Sequence, residues 1–114
     1  MWLCLNKGFF IISENEDAIK LTIGSVKKEH LSTYFPKETI REHSHYCSIN
    51  IDKEDFADWL FYYTMNDVCY TNFKNSVKDY SLHDFYCLVW TFGFDLLSDR
   101  FNLDNPQKIK NSYI

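Results

Sequence analysis

The sequence predicts an α+β domain with a mainly antiparallel sheet of about five strands, a short helix, and two longer C-terminal helices packed on one face. Two patterns favour this fold class. The first half of the chain contains short apolar or alternating runs separated by turn residues, which is typical of antiparallel strands. The second half contains two longer stretches with apolar residues at helical spacing.

The size and composition indicate a single domain over residues 1–114. Of the 114 residues 46% are hydrophobic, and only three are Gly and two are Pro, which favours a packed core over disorder. The aromatic share of 18% exceeds what so small a core readily buries, so we expect some Tyr and Trp side chains at a partner surface. The segment 101–114 contains Pro106 with several Lys and Asn, and is expected to be a loosely ordered tail.

Three strands are predicted near the N-terminus. The apolar runs 2–5 and 9–12 flank a short turn at 6–8, a spacing typical of a β-hairpin in which Gly8 is free to adopt positive φ. After a polar turn, apolar and polar residues alternate over 19–23, which predicts a strand with one solvated face. Together these segments predict an antiparallel meander.

A short helix and two further strands are expected next. Ser25 is predicted to cap a helix that ends at Phe35, because Pro36 disfavours its continuation. Residues 39–42 and 45–51 are predicted to be strands around a polar turn. In the second of these strands the expected inward-facing residues are Cys47, Ile49 and Ile51, and the outward-facing ones are Tyr46, Ser48 and Asn50.

The first longer helix is predicted over about 53–65. Asp52 stands at its N-cap position, and acidic residues occupy its first turn, where they favour the helix macrodipole. Its apolar stripe comprises Phe56, Trp59, Leu60 and Tyr63. One helical turn over 70–77 then brings Phe73 and Val77 together at a spacing of four residues.

The last helix, predicted over 82–98, is the most apolar segment of the chain. Ser81 and Asp84 three residues later match a capping box at its start. Its main apolar stripe comprises Leu82, Phe85, Tyr86, Val89, Phe92, Gly93, Leu96 and Leu97. A second set, formed by Cys87, Trp90 and Phe94, widens the apolar face beyond the usual ~100°. This helix is therefore either buried on two sides or in contact with a partner.

The net charge and the cysteines limit which partners and which cellular location we expect. The formal charge of −4 does not favour direct binding to nucleic acid or to an anionic membrane, since both rely on clustered Lys and Arg. No signal peptide and no run of ~20 apolar residues is present, so no membrane association is expected. The cysteines Cys4, Cys47, Cys69 and Cys87 show no paired spacing, which predicts free thiols and a cytoplasmic location.

Two kinds of chemical site can be drawn from the sequence. Tyr70, Lys74, His83 and Asp84 could form an acid–base cluster acting on RNA or a nucleotide, since His titrates near neutrality and Lys binds phosphate. Asp84, however, already serves the predicted cap, and Lys74 reads as an ordinary solvated charge.

A metal site could be drawn from His43, His45 and Cys47, or from His83 and Cys87. No second pair stands at a zinc-site spacing. The sequence therefore predicts neither a metal nor a cofactor.

The sequence resembles a family of small, functionally uncharacterised bacterial and phage-associated proteins. The resemblance rests on N-K-G-F near the N-terminus, on F-P at the end of the short helix, and on Y-x-N-F-K-x-x-V followed by H-D-x-Y-x-x-V-W. The matching residues are Asn6, Lys7, Gly8, Phe9, Phe35, Pro36, Tyr70, Asn72, Phe73, Lys74, Val77, His83, Asp84, Tyr86, Val89 and Trp90. Such relatives are more Arg-rich over 20–27 and differ beyond about residue 98. The resemblance implies no enzymatic activity, and it implies an association with mobile elements.

These observations favour a protein-binding module that acts without catalysis and contacts a protein partner or a second copy of itself. By its resemblance, the protein is expected to be a phage or mobile-element inhibitor of a host complex, such as an anti-CRISPR or other anti-defence protein. The predicted partner-binding residues are Tyr70, Asn72, Lys74, His83, Cys87, Trp90 and Phe94. The alternative is a small nucleotide-binding or RNA-acting protein that uses the region of Tyr70, Lys74 and His83.

Overall fold

The computed structural model describes residues 1–98. The strands are β1 (Trp2–Leu5), β2 (Gly8–Glu14), β3 (Lys20–Ser25), β4 (Arg41–Glu42) and β5 (Cys47–Asp52), and the helices are α1 (Lys28–Tyr34), α2 (Lys53–Asn66), α3 (Phe73–Ser76) and α4 (Tyr80–Leu97). The five strands form one sheet in the order β1-β2-β3-β5-β4, and all neighbouring strands are antiparallel. The α+β fold class is confirmed. The predicted tail at 101–114 lies outside the described residues.

The main core lies between one face of the sheet and the helices α1 and α2. Ile23 of β3 stands opposite Ile12 of β2 and Ile49 of β5, so these side chains share one face. The helices cover this face with Leu31 of α1 and with Phe56 of α2, both buried. Burial of each large apolar side chain contributes roughly 1.5–3 kcal/mol. The predicted stripe of α2 is confirmed, since its other members, Trp59, Leu60 and Tyr63, belong to or pack against this core.

Helix α4 packs on the sheet through a second, smaller core. Its buried residues Leu82 and Tyr86 cluster with Val77, and Cys4 of β1 and Phe9 of β2 pack against them. Cys4 and Phe9 are register partners, and both alternate along their strands with residues of the main core. The side chains that meet α4 therefore point away from the main core. The two longer helices pack on opposite faces of the sheet, so the expectation that both pack on one face is wrong.

The turn between β1 and β2 is held by tyrosines from two helices of the main core. The Tyr34 hydroxyl accepts a hydrogen bond from the Lys7 backbone N–H at 3.0 Å and donates to Asn6 Oδ1 at 2.9 Å. The Tyr63 hydroxyl donates to the same Asn6 oxygen at 3.3 Å. Burial raises the pKa of both phenols, which keeps these hydroxyls protonated.

Gly8 is required at this turn for space. Its φ lies outside the left-handed region, so this turn does not use the positive φ that is open to glycine. A Cβ at this position would lie 2.9 Å from the Phe10 ring and 3.1 Å from the His30 Cβ. A side chain here would therefore displace α1 or the Phe10 ring from the sheet.

Two predicted caps are wrong. Ser25 is the last residue of β3 and is buried, and its hydroxyl donates to the Phe9 carbonyl at 3.0 Å, so it joins two strands. At the start of α4, Asp79 Oδ1 accepts from the Leu82 N–H at 3.0 Å, which places the helix start before the predicted capping box at Ser81 and Asp84.

Two details of the β5 region also differ from expectation. Asp52 is the N-cap residue of α2, as predicted, but its side chain makes no cap hydrogen bond. Ser48 was expected on the solvated face, yet it is buried. His43 covers it, because His43 Nε2 lies 2.9 Å from the Ser48 hydroxyl.

Candidate partner-binding surface

One face of α4 is a continuous stripe of exposed or half-buried side chains. His83, Cys87, Trp90, Phe94 and Leu97 follow one another at spacings of four and three residues, which places them on one side of a helix. We call these five residues the α4 outer stripe. Trp90 is 63% exposed and Leu97 is 89% exposed. The Trp90 and Phe94 rings lie 6.2 Å apart between centroids. The stripe contains no Lys, Arg, Asp or Glu.

The exposure of this stripe follows from the way α4 meets the sheet. Leu82 and Tyr86 are the only buried residues of α4, and both lie in its first half. Leu88 is also exposed, on the opposite side of the helix from Trp90. The second half of α4 thus contains no fully buried residue, and its side chains are half-buried or exposed.

A groove runs between α3 and α4 beside the stripe. It encloses about 600 Å³, and its walls include Cys4, Phe73, Tyr86 and Val89. Asn72, Lys74 and Trp90 also line it, so the groove unites three of the seven predicted site residues. Trp90 belongs both to this groove and to the α4 outer stripe.

The short helix α3 positions Lys74 at the groove. Asn72 is the N-cap of α3, and its Oδ1 accepts from the Asn75 N–H at 3.4 Å. The Tyr70 ring packs on the Phe73 ring at 5.7 Å, and Phe73 in turn packs on Tyr86 at 5.2 Å. Tyr70 and Asn72 thus hold α3 in place.

His83 and Cys87 lie together at the start of the stripe. Their closest ring nitrogen and sulfur atoms are 3.8 Å apart, and His83 Nδ1 lies 3.6 Å from Asp84 Oδ1. Neither His83 nor Tyr70 lines the groove that contains Lys74. This groove therefore does not bring together the three residues of the alternative, enzymatic prediction.

The floor of the groove is electrically neutral. Burial raises the pKa of the Cys4 thiol, which disfavours the reactive thiolate. Burial likewise raises the pKa of Tyr86, whose hydroxyl donates to the carbonyls of Leu5 and Gly8 at 2.9 Å and 2.8 Å. Lys74 is the one side chain of formal charge that lines the groove within residues 1–98.

Residues 1–98 contain neither a metal-binding cluster nor a membrane-spanning helix. No group of three or more His, Cys, Asp and Glu side chains stands close enough there to hold a metal ion. His43 stacks on Tyr46 at 4.3 Å and contacts Ser48, which accounts for one member of the first metal set considered above. No helix in this range has both the length and the apolar character needed to cross a membrane.

Comparison with known proteins gives no match. Neither protein-family models nor curated proteins nor solved structures resemble this chain closely enough to pair with it. The resemblance to small phage-associated proteins stays a prediction.

Two exposed apolar surfaces were not predicted from the sequence. The outer side of α2 exposes Phe61, Tyr62 and Met65, and Val68 follows them. The signal in the sequence is the run of consecutive aromatic residues at 61–63, because only one of three successive helical positions can face the core. The second surface is a groove of about 310 Å³ on the open face of the sheet, lined by Phe9, Ile11 and Tyr46 among others.

Proposed function

We propose that this protein is a small protein-binding module that acts by occupying a surface of a partner protein, without catalysis. The observation that carries the proposal is Trp90, 63% exposed at the centre of a stripe without Lys, Arg, Asp or Glu, on a helix whose second half contains no fully buried residue. Exposed apolar patches of this kind mark interaction sites, and Trp is the residue most enriched among binding hot spots.

The chemistry of the groove supports binding over catalysis. The groove beside the stripe combines a neutral floor with a single Lys, and it contains neither His83 nor Tyr70. General acid–base catalysis needs a group that exchanges protons near the operating pH within reach of the substrate. A binding surface needs only shape, apolar area and a few polar groups, and the described residues provide these.

The biological role that we propose is inhibition of a host complex by a phage or mobile-element protein, of the anti-CRISPR or other anti-defence type. This part of the proposal is supported by the sequence resemblance. The net charge of −4 favours a protein partner over nucleic acid. The four free thiols fit a reducing cytoplasm.

The test is capture of the partner by tagged protein from a host lysate, with two matched tryptophan variants. Trp90→Ala should abolish capture, because it removes the central side chain of the stripe. Trp2→Ala serves as the control, since Trp2 on β1 is 61% exposed and equally large, and it should leave capture intact. Equal capture by the wild type and both variants would contradict the proposal.

Light scattering on the isolated protein tests the alternative that the stripe binds a second copy of this chain. A dimer that Trp90→Ala dissociates would show that the stripe joins two copies of this chain. In that case the stripe is a self-association surface, and the heterologous partner proposed here is wrong.

A further inference from the structure

The groove beside the α4 outer stripe has the size of a side-chain-binding pocket. Its volume of about 600 Å³ falls within the range of roughly 300–1,000 Å³ that is typical of ligand pockets. Phe73, Tyr86 and Val89 give it apolar walls. These walls offer apolar contacts to an aromatic side chain of a ligand.

Lys74 gives this groove a positive charge that has no ion-pair partner within residues 1–98. Its side chain is half-buried, and it makes no ion pair and no side-chain hydrogen bond within residues 1–98. The other lysines near α3 differ, since Lys78 is exposed and donates to the Asn75 carbonyl at 3.1 Å. A partly desolvated ammonium with free donors favours a carboxylate, which accepts short, charge-assisted hydrogen bonds.

The groove is continuous with the surface proposed to bind the partner, because Trp90 lines both. A ligand in the groove would therefore contact the stripe as well. This continuity favours a segment of the partner protein as the occupant over a free metabolite.

We propose that the groove binds an acidic segment of the partner protein, with an aromatic side chain against Phe73, Tyr86 and Val89, and an adjacent Asp or Glu carboxylate paired with Lys74. This inference rests on the proposed function and specifies the partner chemistry of the same surface. The net charge of the protein is negative, so most of its surface attracts basic segments. The positive charge of Lys74 repels such segments at the groove.

The test uses two blocked dipeptides that differ only in charge, N-acetyl-Phe-Glu-amide and N-acetyl-Phe-Gln-amide. Each is titrated into the full-length, isotopically labelled protein and followed by backbone and indole NMR shifts. The Glu dipeptide should give saturable shifts at Phe73, Lys74 and Trp90. It should bind roughly two- to fivefold more tightly than the Gln dipeptide, as expected for one partly exposed ion pair.

Two lysine variants show which side chain causes the preference for the Glu dipeptide. Lys74→Gln should remove the preference for the Glu dipeptide, whereas Lys78→Gln should retain it. Equal affinity of the two dipeptides, shifts confined to another surface, or no saturable shift at about 10 mM peptide would overturn the inference. The titration involves no partner protein. A negative titration therefore does not contradict Trp90-dependent capture, and a negative capture experiment does not contradict peptide binding in the groove.

Discussion

At the scale of single residues, the hydroxyl of Tyr86 links α4 to the first hairpin. It donates to the Leu5 and Gly8 carbonyls, which lie 81 and 78 positions earlier in the chain. Both of these residues and Tyr86 itself are buried, so water cannot replace the bonds. The placement of the whole α4 outer stripe relative to the sheet depends on this contact.

Tyr86→Phe should lower the free energy of unfolding by about 1–3 kcal/mol, because it removes the buried hydroxyl's hydrogen bonds to these two carbonyls. Tyr80→Phe is the matched control, since Tyr80 lies on the same helix and is 87% exposed, and it should leave stability unchanged. Urea unfolding of the two variants measures the difference. An equal effect of the two substitutions would show that the Tyr86 hydroxyl does not anchor α4.

Sequence reasoning at this scale identifies which residue types matter but not always why. The sequence predicts a turn at 6–8. The tyrosines whose hydroxyls bond Asn6 and Lys7, Tyr34 and Tyr63, lie far along the chain, and no local pattern reveals them. Gly8 is explained by the nearby Phe10 ring, a contact that exists only after folding.

At the scale of elements, α1 is joined to the sheet through His30. Its Nδ1 lies 3.3 Å from the Phe9 N–H and 3.4 Å from the Ser25 hydroxyl. It accepts the Phe9 bond only when that nitrogen carries no proton. Burial, and then the nearby Lys27, lowers the pKa of His30, while Asp79 and Glu29 oppose this effect.

The pH dependence of stability follows from this contact. Because the pKa of His30 is lower in the folded chain, the unfolded chain binds a proton first as the pH falls below the ordinary value of 6.5. The free energy of unfolding should therefore decrease between about pH 7 and pH 5. His30→Asn, which keeps an acceptor near Phe9, should flatten this decrease.

His45→Asn is the control for this prediction, since His45 is exposed in the loop before β5. It should retain the wild-type slope of unfolding free energy against pH. A slope that is unchanged in His30→Asn would contradict the assigned contact.

The sequence predicts most strands and helices, but it does not predict where each of them begins and ends. Alternation and apolar runs predict all five strands, and the spacing of Phe56, Trp59, Leu60 and Tyr63 predicts the buried face of α2. The start of α4 is ambiguous, because Asp79 and Ser81 are both good cap residues only two positions apart. The structure selects Asp79, whose carboxylate reaches the Leu82 N–H, and this bond lowers the pKa of Asp79.

At the scale of the whole molecule, the sheet has one face that helices cover and one that is largely open within residues 1–98. Helices α1 and α2 cover the first with the main core, while α4 contacts the second only beside the first hairpin. This arrangement accounts for the surplus of aromatic residues that composition alone reveals. Part of that surplus is buried, and part is exposed on α4, on α2 and on the open sheet face. Sequence periodicity predicts the wide apolar face of α4, but the groove depends on how α3 packs.

We propose above all that the partner protein binds at Trp90. The chain contains three tryptophans, so 5-fluorotryptophan labelling gives one fluorine resonance each for Trp2, Trp59 and Trp90, assignable by single substitutions. Trp59 is half-buried in the main core, and Trp2 on β1 and Trp90 on α4 are similarly exposed. On addition of the captured partner, we predict that the Trp90 resonance shifts and broadens while that of Trp2 stays in place. A bound complex in which the Trp90 resonance is unchanged would contradict this account.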